Sequence, residues 1–164
     1  MITENATAAG TAVLPAANEL ESVFGGKVHI EGSPSYESLR KIWNGMIDRR
    51  PAIIAQCINN EDIKHAIEAA KKYKLVISVR AGGHNISGSA VCDDGIMIDL
   101  SLMKSVKVVP EESIAFVEGG ATWGDFDKAA QEFGLATTGG LISTTGVAGL
   151  TLGGGVGWLV RKYG

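Results

Sequence analysis

Hydrophobic and polar positions along the chain fall into blocks whose period changes several times, and each change marks an element. Residues 1 to about 16, rich in Ala and Thr, show no sustained stripe and read as a disordered or adaptable arm. Residues 18–24 make a short helix that Gly25-Gly26 ends in the usual C-terminal manner. Val28-His29-Ile30 fits a short strand with His29 half-buried, and Ser35 is placed to cap a helix running through Leu39, Ile42 and Trp43. The run from Pro51 to Cys57 reads as a strand. Asn60 then caps a helix in which Ile63, Ala66, Ile67 and Ala70 recur at helical spacing. Glu61 and Asp62 suit its positive end, and Lys71, Lys72 and Lys74 its negative end. His65 falls off the stripe, as a solvated residue would. Leu75 to Val79 reads as a buried strand, so residues 52–79 carry the signature of a right-handed crossover between parallel strands.

Beyond residue 90 the period shortens. Strands are expected at 95–100, 105–109 and 114–118, separated by turns at Asp93-Asp94-Gly95 and Pro110-Glu111-Glu112. Val106 and Val108 alternate with Lys107, and Ile114 and Phe116 with Ala115, the pattern of half-buried antiparallel strands. Thr122 followed by Asp125 resembles a capping box with Asp in place of Glu. Phe126, Ala129, Ala130 and Phe133 form the stripe of the helix behind it, which Gly134 closes. The fold class that results is α+β: a small βαβ subdomain, then a second mixed or antiparallel sheet with helices, rather than a doubly wound sheet.

Composition alters this picture mainly at glycine. There are 22 in 164 residues, concentrated beyond Gly82, against a usual share of ~7%. With 45% hydrophobic and 20% charged residues, the chain belongs to the globular class rather than the disordered or fibrous ones. A net charge of −3, with no Lys/Arg block and no aromatics interleaved with basic residues, argues against nucleic-acid binding. Cys57 and Cys92 have neither zinc spacing nor a disulfide framework, as reduced thiols of a cytoplasmic protein would. The first 18 residues lack the basic and apolar regions of a signal peptide, and no stretch reaches membrane-spanning length. Neither a membrane nor a metal is expected.

Candidate chemistry gathers in two glycine-rich stretches. Arg80-Ala81-Gly82-Gly83-His84-Asn85 follows a strand, where α/β folds tend to bind ligands. Its glycines allow a tight turn and close approach to backbone N–H donors, so the turn can cradle a phosphate, with an imidazole on the rim. The second stretch, residues 134–158, alternates backbone donors with small hydroxyls and suits a flat, polyoxygenated ligand. Turns that only pack remain an alternative for both. Gly153, Gly155 and Gly157 do not make a dinucleotide fingerprint, because no strand precedes them and no acidic residue follows at the required distance. Two such stretches in one domain favour a dinucleotide lying between them.

With these residues in place the chain resembles the FAD-binding domain of berberine-bridge-enzyme-like FAD-linked oxidases. These have a PCMH-type FAD-binding domain within the vanillyl-alcohol-oxidase-type fold. The resemblance runs from about Tyr36 to Gly164 and is strongest at residues 79–85, 97–101, 119–125 and 145–157, continuing into Arg161-Lys162-Tyr163-Gly164. It implies that His84 forms a covalent bond to the flavin 8α-methyl group. It implies further that Arg80, Ala81, Gly82, Gly83, His84 and Asn85 hold the pyrophosphate through backbone amides. Thr138, Gly139, Gly140, Ser143, Thr144, Gly146 and Gly149 match the second loop, along the pyrophosphate and ring. Some relatives carry a second covalent link through a cysteine where this chain has Ile142, so one link at most is expected, as in the 6-hydroxynicotine-oxidase-like branch.

The implied activity is hydride transfer from a C–H next to a hydroxyl or amine of a small-molecule substrate to flavin N5, with O2 as reoxidant. A histidyl link would raise the flavin potential. Residues 1–34 are expected to form the arm and short helix, and residues 35–164 an FAD-binding domain truncated at its C-terminal side. In the relatives the catalytic base and substrate contacts lie beyond the matching region, so no catalytic residue is assigned. The 164-residue chain alone is expected to bind FAD weakly or not at all and to turn over nothing. The alternatives are a non-catalytic relative and an FAD-linked dehydrogenase using another acceptor.

Overall fold

The computed structural model describes the backbone from Asn5 to Gly164 and the side chains from Ala12 onward. It contains two compact units: Met1–Arg80 with Asn85–Leu100, and Ala81–His84 with Ser101–Gly164.

The first unit is built on a four-stranded sheet of β1 (Lys27–His29), β2 (Ile53–Gln56), β3 (Ile77–Arg80) and β4 (Ile96–Asp99), in the order β1-β2-β4-β3. β1 pairs antiparallel with β2, while β2 and β3 both run parallel to β4. Thus β2 and β3 are parallel, as the crossover pattern requires, but β4 is inserted between them. All four residues of β2 and of β4 are buried, the mark of central parallel strands. β3 differs from the buried strand its apolar run suggested. It lies at the sheet edge, with Ile77 39% and Val79 52% exposed and only Ser78 buried.

Three helices accompany the sheet: α1 (Asn5–Val23), α2 (Tyr36–Leu39) and α3 (Asn60–Tyr73). α1 replaces the expected arm over residues 5–16, and residues 1–4 lie outside the described residues. Ala16, Ala17 and Leu20 are buried. Glu19 accepts bonds from Lys72 Nζ (2.5 Å) and Tyr73 Oη (2.7 Å) on α3. Pro15 and the low contrast between alanine and threonine hide this stripe in the sequence. α2 stops at Leu39 instead of reaching Trp43, which is exposed, and Ser35 makes no side-chain cap. Arg40, just past the helix, is held by Glu37 and Asp48. Tyr36, Ile54, Val91 and Met97 form the core on one sheet face.

α3 is capped by Asn59, one residue before the expected Asn60, with its Oδ1 accepting from Asp62 N at 2.9 Å. Asp62 is buried because its carboxylate accepts from Gly25 N (2.8 Å) and Ile58 N (3.0 Å). Ala66, Ala69 and Ala70 form the most buried part of the stripe. His65 is half-buried beside Glu68 rather than fully solvated.

The second unit contains the expected hairpin, β5 (Val106–Val109) and β6 (Ile114–Val117), paired antiparallel with Val106 opposite Val117. α4 (Trp123–Gln131), α5 (Val147–Gly153) and α6 (Val160–Tyr163) follow. Thr122 and Asp125 form the predicted capping box of α4. Trp123, Phe126 and Ala130 pack with Val106, Ala115 and Val117, and the Trp123 and Phe126 rings meet edge to face at 5.7 Å. Phe133 does not continue the stripe. The helix ends at Gln131, which leaves Phe133 50% exposed.

Candidate functional site

The first glycine loop leaves β3 at Arg80, whose side chain is 19% exposed and whose Nη1 lies 3.3 Å from the fully buried carboxylate of Asp99. Arg80 Nε is buried with no hydrogen-bond partner among the described residues. Arg80 and Asn85 belong to the first unit, whereas Ala81, Gly82, Gly83 and His84 pack with the second. Gly83 is buried with a positive φ of 69°, which a larger residue would adopt only under strain. His84 is half-buried, and Asn85 is exposed with Oδ1 accepting from Ser87 Oγ (2.7 Å) and Ser89 N (3.1 Å).

Within the second unit the two glycine stretches meet backbone to backbone. A Cβ on Gly82 would lie 2.4 Å from Gly146 N, and a Cβ on Gly146 would lie 2.6 Å from Gly82 N. Only hydrogen at both positions permits this crossing. The second stretch is anchored from α4. Thr122 forms an isolated antiparallel bridge with Gly146. Trp123 N donates to Thr145 O, Gly124 N to Ser143 O and Val147 N to Ala121 O, each at 2.9 Å. Thr122 and Asp125 brace this anchor. Asp125 Oδ2 accepts from Thr122 N (2.9 Å) and Oγ1 (2.8 Å), and those bonds hold its carboxyl below the usual carboxylate range.

Gly139 and Gly140 lie on the Trp123 indole, where a Cβ would come within 2.6 Å and 2.8 Å of ring carbons. Gly157 closes onto Gly139, its Cβ position lying 1.5 Å from the Gly139 carbonyl oxygen. Beside this packing is a cavity of about 250 Å³ lined by Thr138, Gly139, Leu150, Gly155, Gly157 and Val160 among others. Thr138, Ser143, Thr144 and Gly149 are exposed, and nothing lies within 4 Å of a Cβ on Gly149.

The second unit therefore gathers Ala81, Gly82, Gly83 and His84 with Thr138, Gly139, Gly140, Ser143, Thr144, Gly146 and Gly149. The pattern reading gave no role to Trp123, the platform of the second stretch, or to Asp99, the partner of Arg80. A carboxylate ending the apolar run Ile96-Met97-Ile98 was the available signal for the latter. Neither thiol is activated. Burial, reinforced by Asp62 and Asp99, pushes Cys57 up to about 12, and burial also raises Cys92. Among the described residues no metal-ligand cluster occurs, and no helix is long and apolar enough to cross a membrane.

Comparison with known proteins shows the family. The FAD binding domain family matches residues 51–164. (R)-6-hydroxynicotine oxidase of Paenarthrobacter nicotinovorans is 40% identical over 139 residues, covering 85% of this chain and 30% of the relative. The crystal structure of 6-hydroxy-D-nicotine oxidase from Arthrobacter nicotinovorans superposes with a TM-score of 0.84 at 40% identity, covering 86% of this chain and 31% of the other. Phl p 4, a grass pollen allergen with glucose dehydrogenase activity, gives a TM-score of 0.82 at 28% identity, covering 91% and 33%. The chain thus spans about a third of the length of the proteins it matches. It belongs to the FAD binding domain family.

Proposed function

We propose that this chain holds the nucleotide part of an FAD cofactor for an oxidase, with His84 as the single covalent attachment point. The observation that carries the reading is the backbone crossing at Gly82 and Gly146, which brings the histidine loop and the hydroxyl-bearing loop into one unit. The residues present fit a flavin dinucleotide. Small residues leave the backbone approachable, Thr138, Ser143 and Thr144 expose hydroxyl donors, and Arg80 Nε is a buried donor with no partner among the described residues.

In this reading the backbone of residues 80–85 and 138–149 binds the pyrophosphate and runs along the ring. The His84 imidazole supplies the attaching nitrogen, and Ile142 offers no second nucleophile. FAD, when bound, supplies a hydride acceptor for a C–H next to a hydroxyl or amine, with O2 as terminal acceptor. Donors already fixed by the fold stabilise negative charge without reorganising. The buried thiols suit a cytoplasmic setting, which is part of the proposal.

Mass spectrometry of the longest natural polypeptide containing this chain tests the assignment. A flavin adduct is expected on the peptide bearing His84. A yellow protein whose His84 peptide is unmodified would refute covalent attachment, and a colourless protein after FAD loading would refute the cofactor site. A second reading, an FAD-linked dehydrogenase using another acceptor, is favoured by the glucose dehydrogenase activity of Phl p 4. Substrate-dependent oxygen consumption separates the two, since a dehydrogenase would reduce an added dye while leaving oxygen untouched.

A further inference from the structure

One polar row crosses the first unit's sheet at the carboxyl ends of its parallel strands. Asp99 on β4 is the register partner of Gln56 on β2 and also of Arg80 on β3. The three side chains therefore share one face, next to the buried row of Ile54, Met97 and Ser78. Asp99 is fully buried and Gln56 is 8% exposed. Gln56 Nε2 donates to Asp99 Oδ2 at 3.2 Å, and Arg80 Nη1 donates to Asp99 Oδ1 at 3.3 Å. The main chain locks the same row, with Cys57 N donating to Asp99 O and Leu100 N to Arg80 O, both at 2.9 Å.

A carboxylate in a core is a poor source of stability, because its desolvation offsets what pairing returns, and an apolar residue would fill the same space at less cost. Its use is geometric. Arg80 is the last residue of an edge strand and the first of the histidine loop, and a long side chain there would otherwise sample many rotamers. Asp99 limits that freedom through one guanidinium nitrogen, while Nε remains buried with no partner among the described residues.

We infer that Asp99, oriented by Gln56, is a positioning residue that presents the Arg80 guanidinium to an acceptor group of the cofactor. The inference rests on the FAD reading above. Neither Asp99 nor Gln56 touches the cofactor in this scheme, and both act through Arg80.

The test is a double-mutant cycle on FAD affinity, read by flavin fluorescence on the longest natural polypeptide containing the chain. Asp99→Asn is expected to weaken FAD binding about tenfold, the scale of one charge-assisted hydrogen bond. In the Arg80→Met background the same change should add less than about twofold, since the group it positions is gone. Gln56→Leu, which leaves both charges in place, should weaken binding about threefold and keeps the test open if Asp99→Asn does not fold. Equal effects of Asp99→Asn with and without Arg80 would mean a merely structural carboxylate and overturn the inference. So would unchanged affinity in Asp99→Asn or Gln56→Leu. A wild-type protein that takes up no FAD would overturn the cofactor reading and the inference together.

Discussion

Asp125 shows how one side chain can act at a distance within the second unit. Its carboxylate joins Thr122 N and Oγ1, and Thr122 leads into the Trp123 and Gly124 amides that donate to Thr145 O and Ser143 O. Because the folded carboxyl sits below its unfolded value, chiefly through the Thr122 backbone bond, its stabilisation is complete above the ordinary Asp range, about 3.9. It fades as pH falls through the lower folded value. Asp125→Ala is therefore expected to lower stability by about 1 kcal/mol at neutral pH, with the difference shrinking toward about pH 3. Denaturant titration at both pH values checks this, and an equal loss at both would contradict the capping account. The capping box was legible because three residues of spacing decide it. The choice between Asn59 and Asn60 was not. Both can cap, and the answer depended on which Asn lets Asp62 reach Gly25 N and Ile58 N.

Among elements, the two glycine stretches separate glycines that the fold requires from those it tolerates. Gly82→Ala would drive a methyl into the Gly146 backbone at 2.4 Å, where neither side has a flexible end to yield. A loss of about 1–3 kcal/mol is expected, together with loss of FAD retention. Gly149→Ala, inside α5 with nothing within 4 Å, should leave stability unchanged or raise it by up to about 1 kcal/mol. Thermal melts of the two variants side by side decide the matter, and similar losses in both would refute the crossing. The pattern of apolar residues identified β3 as a strand but not as an edge. An apolar run carries no record of which neighbours pair with it. The insertion of β4 between β2 and β3 was hidden for the same reason: that pairing joins residues far apart in sequence.

At the scale of the molecule several large apolar side chains stand exposed. Met46 is 91% exposed, Leu152 89%, Trp158 83% and Ile86 74%. The isolated 164-residue chain should self-associate and enhance the fluorescence of an apolar dye; a monodisperse monomer that leaves the dye dark would contradict this. From residue order alone came the α+β class, the strand–helix–strand unit, the hairpin and both glycine-rich stretches. Each depends on periodicity or on residue types only a few positions apart. Folding in three dimensions settled the strand order, the length of α1, the Trp123 platform, the Gly82–Gly146 crossing and the row Gln56–Asp99–Arg80. These depend on contacts between distant segments, and local preference holds no information about which distant backbone will come close enough to exclude a Cβ.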